Sequence, residues 1–192
     1  MYNIILASAS PRRKEILEKF NIPFEVKLGD IKETIHGGES AEQIAMALAF
    51  EKAIAVAQNC NHNDIIIAAD TVVAKNEILG KPKNYEDAFR MLKLLQDDIH
   101  DVITGVAVVQ AHTNNKFVSF DKTKVKIKQL TDNFIKRYID TGEVWDKAGA
   151  YAIQGKGAVL VEWIQGDYFN VVGLPICKLQ EILNKHFHIE LI

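Results

Sequence analysis

Two short apolar runs rich in isoleucine constrain the fold more than any other feature of this chain. Tyr2 to Ala7 and Ile65 to Ala69 are too short for helices, and polar residues follow each of them, which is typical of buried strands. The first run leads directly into a helix pattern, in which Ser10 is a candidate N-cap and Pro11 a first-turn proline. The chain is therefore expected to form a buried β-sheet with helices attached to its strands.

Helix and strand patterns follow one another irregularly along the rest of the chain. Ser40 and Gln43 form a capping-box pair that opens an alanine-rich helix, while Asn84 and Thr131 are expected to cap two further helices. Strands are predicted at Val102 to Val109, Lys116 to Phe120 and Lys124 to Lys128, and a hairpin at Ala158 to Ile164 with Tyr168 to Val172. Because hairpins accompany the strand–helix units, the sequence predicts an α/β fold with a mixed β-sheet flanked by helices.

Length and composition bound the class of protein. With 192 residues, the chain is expected to form a single domain over residues 1–192, in which about 81–139 forms the one candidate smaller lobe. The net charge of -2 argues against a protein built to coat nucleic acid or an anionic membrane. Cys60 and Cys177 lie far apart, so neither a disulfide framework nor a structural zinc site is indicated. The first residues lack a signal peptide pattern and no apolar run could span a bilayer, so we expect a cytoplasmic protein.

The turn from Ser8 to Arg13 is the first candidate for chemistry. It places two hydroxyl groups, the guanidinium groups of Arg12 and Arg13 and the N–H groups of a helix start on one short segment. This combination suits a polyphosphate. The alternative, in which Ser10 only caps the helix and the arginines are solvated, has equal weight on local chemistry alone.

Asp70 and Lys81 are the next candidates. Asp70 follows a buried strand directly, where open α/β sheets place their ligand sites, and its carboxylate could hold a divalent metal or orient a water molecule. A turn-capping aspartate is the competing interpretation. Lys81, in the loop Gly80-Lys-Pro-Lys83, could meet the same phosphates as Arg13, although a lone loop lysine is usually only solvated. Glu33 and Glu39 add acidic candidates in another loop, where acidic residues are common.

Several other chemistries lack their sequence signatures. The chain has neither a Walker loop nor a complete Gly-x-Gly-x-x-Gly, and no His-x-x-x-His or Gly-x-Ser-x-Gly pattern. Serine, arginine, lysine and carboxylate groups remain. This set suits phosphoanhydride cleavage, in which positioning and charge neutralisation matter more than covalent chemistry.

Five segments, in order, resemble the motif blocks of the Maf family. They are Leu6-Ala-Ser-Ala-Ser-Pro-Arg-Arg-Lys-Glu-Ile-Leu17, Ala69-Asp-Thr-Val-Val73, Leu79-Gly-Lys-Pro82, Asp146-Lys-Ala-Gly-Ala-Tyr-Ala-Ile-Gln-Gly155 and Val172-Gly-Leu-Pro175. The resemblance covers nearly the whole chain. It implies an elongated, two-lobed fold with a central cleft, related to the inosine triphosphate pyrophosphatases, and a nucleotide pyrophosphatase that uses a divalent metal and forms homodimers.

The resemblance also implies a role for each matching residue. Asp70 corresponds to the catalytic base or metal-orienting acid, and Glu33 to an acidic position associated with Mg²⁺ or Mn²⁺. The positions that bind or neutralise phosphate are Ser8, Arg13, Lys52 and Lys81, and those that distinguish the branch acting on dTTP and UTP are Arg12, Thr71 and Gln154. Two residues depart from the family pattern. Lys32 stands where an acid is frequent, and Phe50 stands where an arginine commonly precedes the Glu51-Lys52 pair.

The implied activity is hydrolysis of dTTP and UTP to the monophosphate and pyrophosphate, as a house-cleaning reaction on nucleotides. A nucleotide-sensing regulator of septation, which would keep the site without turnover, is the alternative that the family's history suggests. A nucleic-acid-binding module on the Lys122 to Lys128 face is disfavoured by the overall acidic charge.

Overall fold

The computed structural model describes residues 3–31 and 38–192. Glu33 and Lys32 lie outside these residues. The strands are β1 Ile4–Leu6, β2 Phe24–Val26, β3 Ile65–Lys75, β4 Glu77–Leu79, β5 Ile99–Gln110, β6 Lys116–Ile127 and β7 Val161–Gln165. The helices are α1 Pro11–Glu18, α2 Ala41–Ala57, α3 Tyr85–Leu95, α4 Asp132–Ile139, α5 Tyr168–Val172 and α6 Ile176–Phe187.

The strands form one mixed sheet in the order β2-β1-β3-β5-β6-β7, with β4 paired to β3. β1 runs parallel to both β2 and β3, whereas β4 and β7 are antiparallel to β3 and β6. Parallel neighbours require a crossover connection, and α1 and α2 lie in the connections that follow β1 and β2. The predicted α/β fold with a mixed sheet flanked by helices is confirmed.

The chain divides into two compact units. The first contains Met1–Asp70, Thr104–Asp121 and Gly173–Ile192, and the second contains Thr71–Ile103 and Lys122–Val172. The prediction of a smaller lobe over about 81–139 stays a prediction. Among the described residues, no helix is long and apolar enough to cross a membrane.

Helix α2 packs tightly on the sheet of the first unit because small residues face each other there. Ala49 and Ala53 of α2 are fully buried in a cluster with apolar residues of β1, β3 and β5. A Cβ atom on Gly105 of β5 would lie 2.2 Å from the carbonyl oxygen of Ala45, so only glycine permits this approach. Ser40 and Gln43 close the predicted capping box at the start of this helix.

The second unit has a core of its own, to which α3 contributes Ala88, Met91, Leu92 and Leu95. The predicted caps are confirmed at both main helices, because Asn84 accepts a hydrogen bond from the N–H of Asp87 and Thr131 accepts one from the N–H of Phe134. Leu79, Ala150 and Tyr151, which lie near Lys81 and Gln154 in the chain, belong to this core.

The hairpin predicted for Ala158 to Val172 is wrong. Residues 155–160 form a 3₁₀ turn, β7 pairs with β6, and Tyr168–Val172 form the short helix α5. Asp167 Oδ1 accepts a hydrogen bond from the N–H of Phe169 at 2.8 Å at the start of this helix. Asn170 is fully buried and donates to Val102 and Thr123, contacts that no periodicity within the segment indicates.

Two strands predicted separately, Lys116 to Phe120 and Lys124 to Lys128, form the single strand β6. The residues between the two predicted strands are polar. Thr123 is instead fully buried, and its hydroxyl donates to the carbonyl oxygen of Asp167 at 2.9 Å, so the strand continues through it.

Candidate active site

The turn from Ser8 to Arg13 joins β1 to α1 in the first unit. Ser10 occupies the predicted N-cap position with extended backbone, but its side chain makes no capping hydrogen bond. The Oγ of Ser8 accepts a hydrogen bond from the N–H of Ser10 at 3.2 Å instead. The alternative in which Ser10 serves only to cap the helix is therefore not supported by its side chain.

Arg13 is held by two hydrogen bonds within the first unit. Its Nε donates to the carbonyl oxygen of Gly173 at 2.7 Å, and its Nη1 donates to the Oγ of Ser8 at 3.2 Å. Burial lowers the pKa of Arg13, the nearby Asp70 opposes this shift, and Arg12 adds to it. Because guanidinium groups stay protonated in proteins, Arg13 is a fixed positive charge in a partly buried place.

Ser8 is well placed to donate a hydrogen bond to an anion. Its side chain is buried, and its Oγ accepts from the N–H of Ser10 and from Arg13. A hydroxyl group also carries one proton to donate, and these two contacts do not use it. The hydroxyl and the guanidinium of Arg13 can therefore serve one phosphate together.

Asp70 forms an ion pair with Lys52, which lies on α2. The two side chains are 14% and 22% exposed, so the pair is neither deeply buried nor freely solvated. Lys52 contacts Oδ1 of the carboxylate. With Arg12 and Arg13, this group contains three cations and one carboxylate, and the excess positive charge favours a polyanionic ligand.

Among the described residues, Asp70 is the predicted carboxylate that could contact a divalent metal. No group of three or more His, Cys, Asp or Glu among them could hold a metal ion. Mg²⁺ commonly binds through one or two carboxylates together with substrate phosphates, and Asp70 can supply one such carboxylate. Glu33, the second predicted metal ligand, lies outside the described residues.

Two loops of the second unit meet beside Lys81. The N–H of Gly149 donates to the carbonyl oxygen of Gly80 at 3.0 Å, which joins the loop of Lys81 to the segment that begins at Asp146. Gly149 has a φ of 68°, and a Cβ atom there would lie 3.2 Å from the side chain of Val73. The positive φ favours glycine at this position, and Lys81 in the adjoining loop is exposed.

Gln154 lies in the same segment, immediately before the 3₁₀ turn of residues 155–160. Its backbone is extended, its side chain is partly buried, and this side chain makes no capping hydrogen bond to the turn. Thr71 directly follows Asp70 on β3 and is also partly buried.

The structure thus gathers Ser8, Arg13, Lys52 and Asp70 in the first unit, and it joins the loops of Lys81 and Gln154 in the second. Gly173 was missed as the acceptor for Arg13. Gly173 belongs to the motif block Val172-Gly-Leu-Pro175, but it lies 160 positions from Arg13 and no local signal in the sequence pairs the two residues.

Comparisons with known proteins agree with one another. The family model described as Maf-like protein matches residues 3–186. The dTTP/UTP pyrophosphatase of Alkaliphilus metalliredigens is 50% identical over 192 residues, which is 100% of both chains, and that of Alkaliphilus oremlandii is 52% identical over the same coverage.

Among solved structures, a HAM1 protein from Coxiella burnetii is similar with a TM-score of 0.49 and 18% identity, over 66% of this chain and 73% of that chain. The assignment to a family rests on the family model and on the sequence relatives. Since the model spans nearly the whole chain and relatives are half identical over their full length, the chain belongs to the Maf family.

Proposed function

We propose that this protein is a nucleoside triphosphate pyrophosphatase that hydrolyses dTTP and UTP to the monophosphate and pyrophosphate, as a house-cleaning enzyme for nucleotides. The observation that carries the proposal is the carboxylate of Asp70 among the cations Lys52, Arg13 and Arg12. The names of the full-length relatives support the same activity and the same substrates.

The cations hold the triphosphate. Arg13 is fixed by its bonds to Ser8 and Gly173, so its guanidinium loses little freedom when a phosphate binds. Ser8 donates its hydroxyl proton to the same group, and Lys52, Arg12 and Lys81 supply further charge. These contacts stabilise the pyrophosphate as it leaves.

Asp70 acts on the water molecule. When the phosphates draw Lys52 toward them, the carboxylate is left to accept a proton from water. The water oxygen bonds to the α-phosphorus, and the bond from that phosphorus to the α–β bridging oxygen breaks, which releases pyrophosphate. A divalent cation, Mg²⁺ or Mn²⁺, would be held by Asp70 with Glu33 and would neutralise charge on the phosphates.

The base is selected by Gln154 with Thr71 and Arg12. The amide of Gln154 both donates and accepts hydrogen bonds, as the O4 and N3–H edge shared by uracil and thymine requires. The side chain of Gln154 makes no capping hydrogen bond to the turn that follows it, and in this proposal its amide contacts the base instead. The homodimer and the cytoplasmic location expected from the sequence stay predictions.

Pyrophosphate release from dTTP, UTP, CTP, ATP and GTP, measured with and without Mg²⁺ or Mn²⁺, tests the proposal. We expect dTTP and UTP to be the preferred substrates, and Asp70→Asn to lose at least about a hundredfold in kcat with little change in nucleotide affinity. Asp132→Asn is the matched control, because this carboxylate contacts Lys93 on the surface. Tight binding of dTTP without any product would instead support the septation regulator.

A further inference from the structure

The segment that carries Gln154 is anchored at both ends by residues of α4 and the turn after it. The hydroxyl oxygen of Tyr138 accepts a hydrogen bond from the N–H of Ala152 at 3.3 Å. On the other side of Gln154, Glu143 Oε1 accepts from the N–H of Lys156 at 3.0 Å, and Oε2 accepts from the N–H of Gly157 at 3.1 Å. One carboxylate therefore binds two consecutive backbone N–H groups, which is how a concave segment of backbone binds an anion.

Two glycines allow the segment to close around these anchors. Gly155 has a φ of 63°, and a Cβ atom there would lie 2.9 Å from Oε1 of Glu143. A Cβ atom on Gly157 would lie 2.4 Å from the carbonyl oxygen of Ala152 and 2.5 Å from the hydroxyl oxygen of Tyr138. The backbone on both sides of Gln154 is thus packed against the anchoring groups with no space for a larger residue.

The anchors are themselves fixed to the core of the second unit. Tyr138 is 4% exposed and belongs to that core. The hydroxyl of Thr141 donates to the carbonyl oxygen of Tyr138 at 2.7 Å and accepts from the N–H of Glu143 at 3.4 Å. Gly142, with a φ of 79°, lies in the turn between the end of α4 and Glu143. The carboxylate of Glu143 therefore has a defined position before any ligand binds.

We propose that Glu143 is a positioning residue for substrate selection, which fixes the backbone on the C-terminal side of Gln154 so that the Gln154 amide meets the pyrimidine edge in one orientation. This inference rests on the proposed role of Gln154. Glu143 touches no substrate. It acts through the two N–H groups that its carboxylate binds, so its loss should affect base selection and the local mobility of this segment together.

Amide hydrogen exchange tests the structural half of the inference without any catalysis. Glu143→Ala should raise exchange at Lys156 and Gly157 by about tenfold or more, since each N–H loses a charged acceptor. Glu143→Gln should give a smaller increase, because the amide oxygen accepts from one N–H while its NH₂ group cannot accept from the other. The matched control is Glu162→Ala, an exposed glutamate of β7, which should leave both amides unchanged. Unchanged exchange in Glu143→Ala would overturn the inference.

Steady-state kinetics test the functional half. Glu143→Ala should raise KM for UTP and dTTP by about tenfold, with a smaller change in kcat. It should also lower the ratio of kcat/KM for these substrates to kcat/KM for CTP and GTP. Glu143→Gln should recover part of that preference. Equal decreases in kcat/KM on all four substrates would show a general structural role and would overturn the inference. If Glu143→Ala does not fold, the same kinetics are measured on Glu143→Gln, where a weaker substrate preference supports the inference and equal decreases on all four substrates contradict it.

The two proposals can fail separately. If the unchanged enzyme does not prefer dTTP and UTP, the proposed function fails, whatever the exchange at Lys156 and Gly157. If the preference exists and Gln154→Ala abolishes it while Glu143→Ala leaves it intact, only the positioning role of Glu143 fails.

Gly155→Ala supplies an independent check on the contact. Gly155 has a positive φ and the added Cβ atom would lie 2.9 Å from Glu143 Oε1, so the variant should weaken base selection both through backbone strain and through displacement of the carboxylate. In a Glu143→Ala background the carboxylate is absent, and Gly155→Ala should then have a smaller effect on base selection. Fully additive effects of the two substitutions would contradict the contact.

Discussion

Protonation of His100 should couple the stability of the second unit to pH. His100 is 3% exposed, and its Nε2 lies 2.7 Å from the hydroxyl oxygen of Tyr151. Its Nδ1 is buried and has no hydrogen-bond partner among the described residues. A protonated ring would therefore place a second N–H in a buried position that offers it no acceptor.

The pKa of His100 lies at about 4, below the ordinary value of 6.5, first because of burial and then because of the nearby Lys75. Asp98 acts in the opposite direction without overcoming them. As the pH falls below about 6.5, His100 becomes protonated in the unfolded chain. In the folded protein, its ring stays mostly neutral until the pH approaches about 4. Folding is therefore destabilised as the pH falls through this window, by about 2 kcal/mol between pH 7 and 5 and by about 3 kcal/mol once the pH is below 4.

Urea unfolding at pH 7, 6 and 5, compared between the unchanged protein and His100→Gln, measures this effect. Glutamine cannot titrate and can still form a hydrogen bond with Tyr151. We expect the unchanged protein to lose about 2 kcal/mol more than the variant between pH 7 and 5, with similar m-values. Parallel losses in the two proteins would refute the reasoning, since the other titrating groups are common to both.

Three further substitutions test the fold and the site. Gly105→Ala should lower the free energy of unfolding by about 3 kcal/mol in urea titrations, because the new Cβ atom would meet the carbonyl oxygen of Ala45. Gly80→Ala is the control and should lower the free energy of unfolding far less, because no atom lies within 4 Å of a Cβ atom at that position. Arg13→Lys should reduce kcat/KM by about tenfold or more for every nucleotide, since one ammonium cannot reproduce the guanidinium fork, and a base-selective loss would contradict its phosphate role. Gln154→Glu should reduce kcat/KM on dTTP and UTP by about tenfold or more, while equal changes on CTP and GTP would remove Gln154 from base selection.

Local signals in the sequence predicted local structure well. Ser40, Asn84 and Thr131 each start a helix as expected, because a cap depends on residues only three positions apart. The strand–turn–helix at Ser8 is also predicted from local signals, an apolar run followed by Pro11 in the first turn of the helix, although the side chain of Ser10 makes no capping hydrogen bond. The assignment to the Maf family, made from five motif blocks, is confirmed by the family model.

Contacts between distant residues explain what the sequence could not predict. Tyr168 to Val172 has the apolar pattern of a strand, yet buried bonds from Asn170 to Val102 and Thr123 accompany a helix. Arg13 finds its acceptor 160 residues away, and Glu143 binds N–H groups 13 and 14 residues further on. Periodicity and capping rules describe residues close together in the sequence, so they cannot predict these contacts.

The central claim is that water attacks the α-phosphorus, with Asp70 accepting its proton. Hydrolysis of UTP in water enriched in ¹⁸O, followed by mass spectrometry of the products, tests it most directly. Attack at the α-phosphorus predicts one ¹⁸O atom in UMP and none in the pyrophosphate. Label in the pyrophosphate, or formation of UDP and labelled phosphate, would contradict the account.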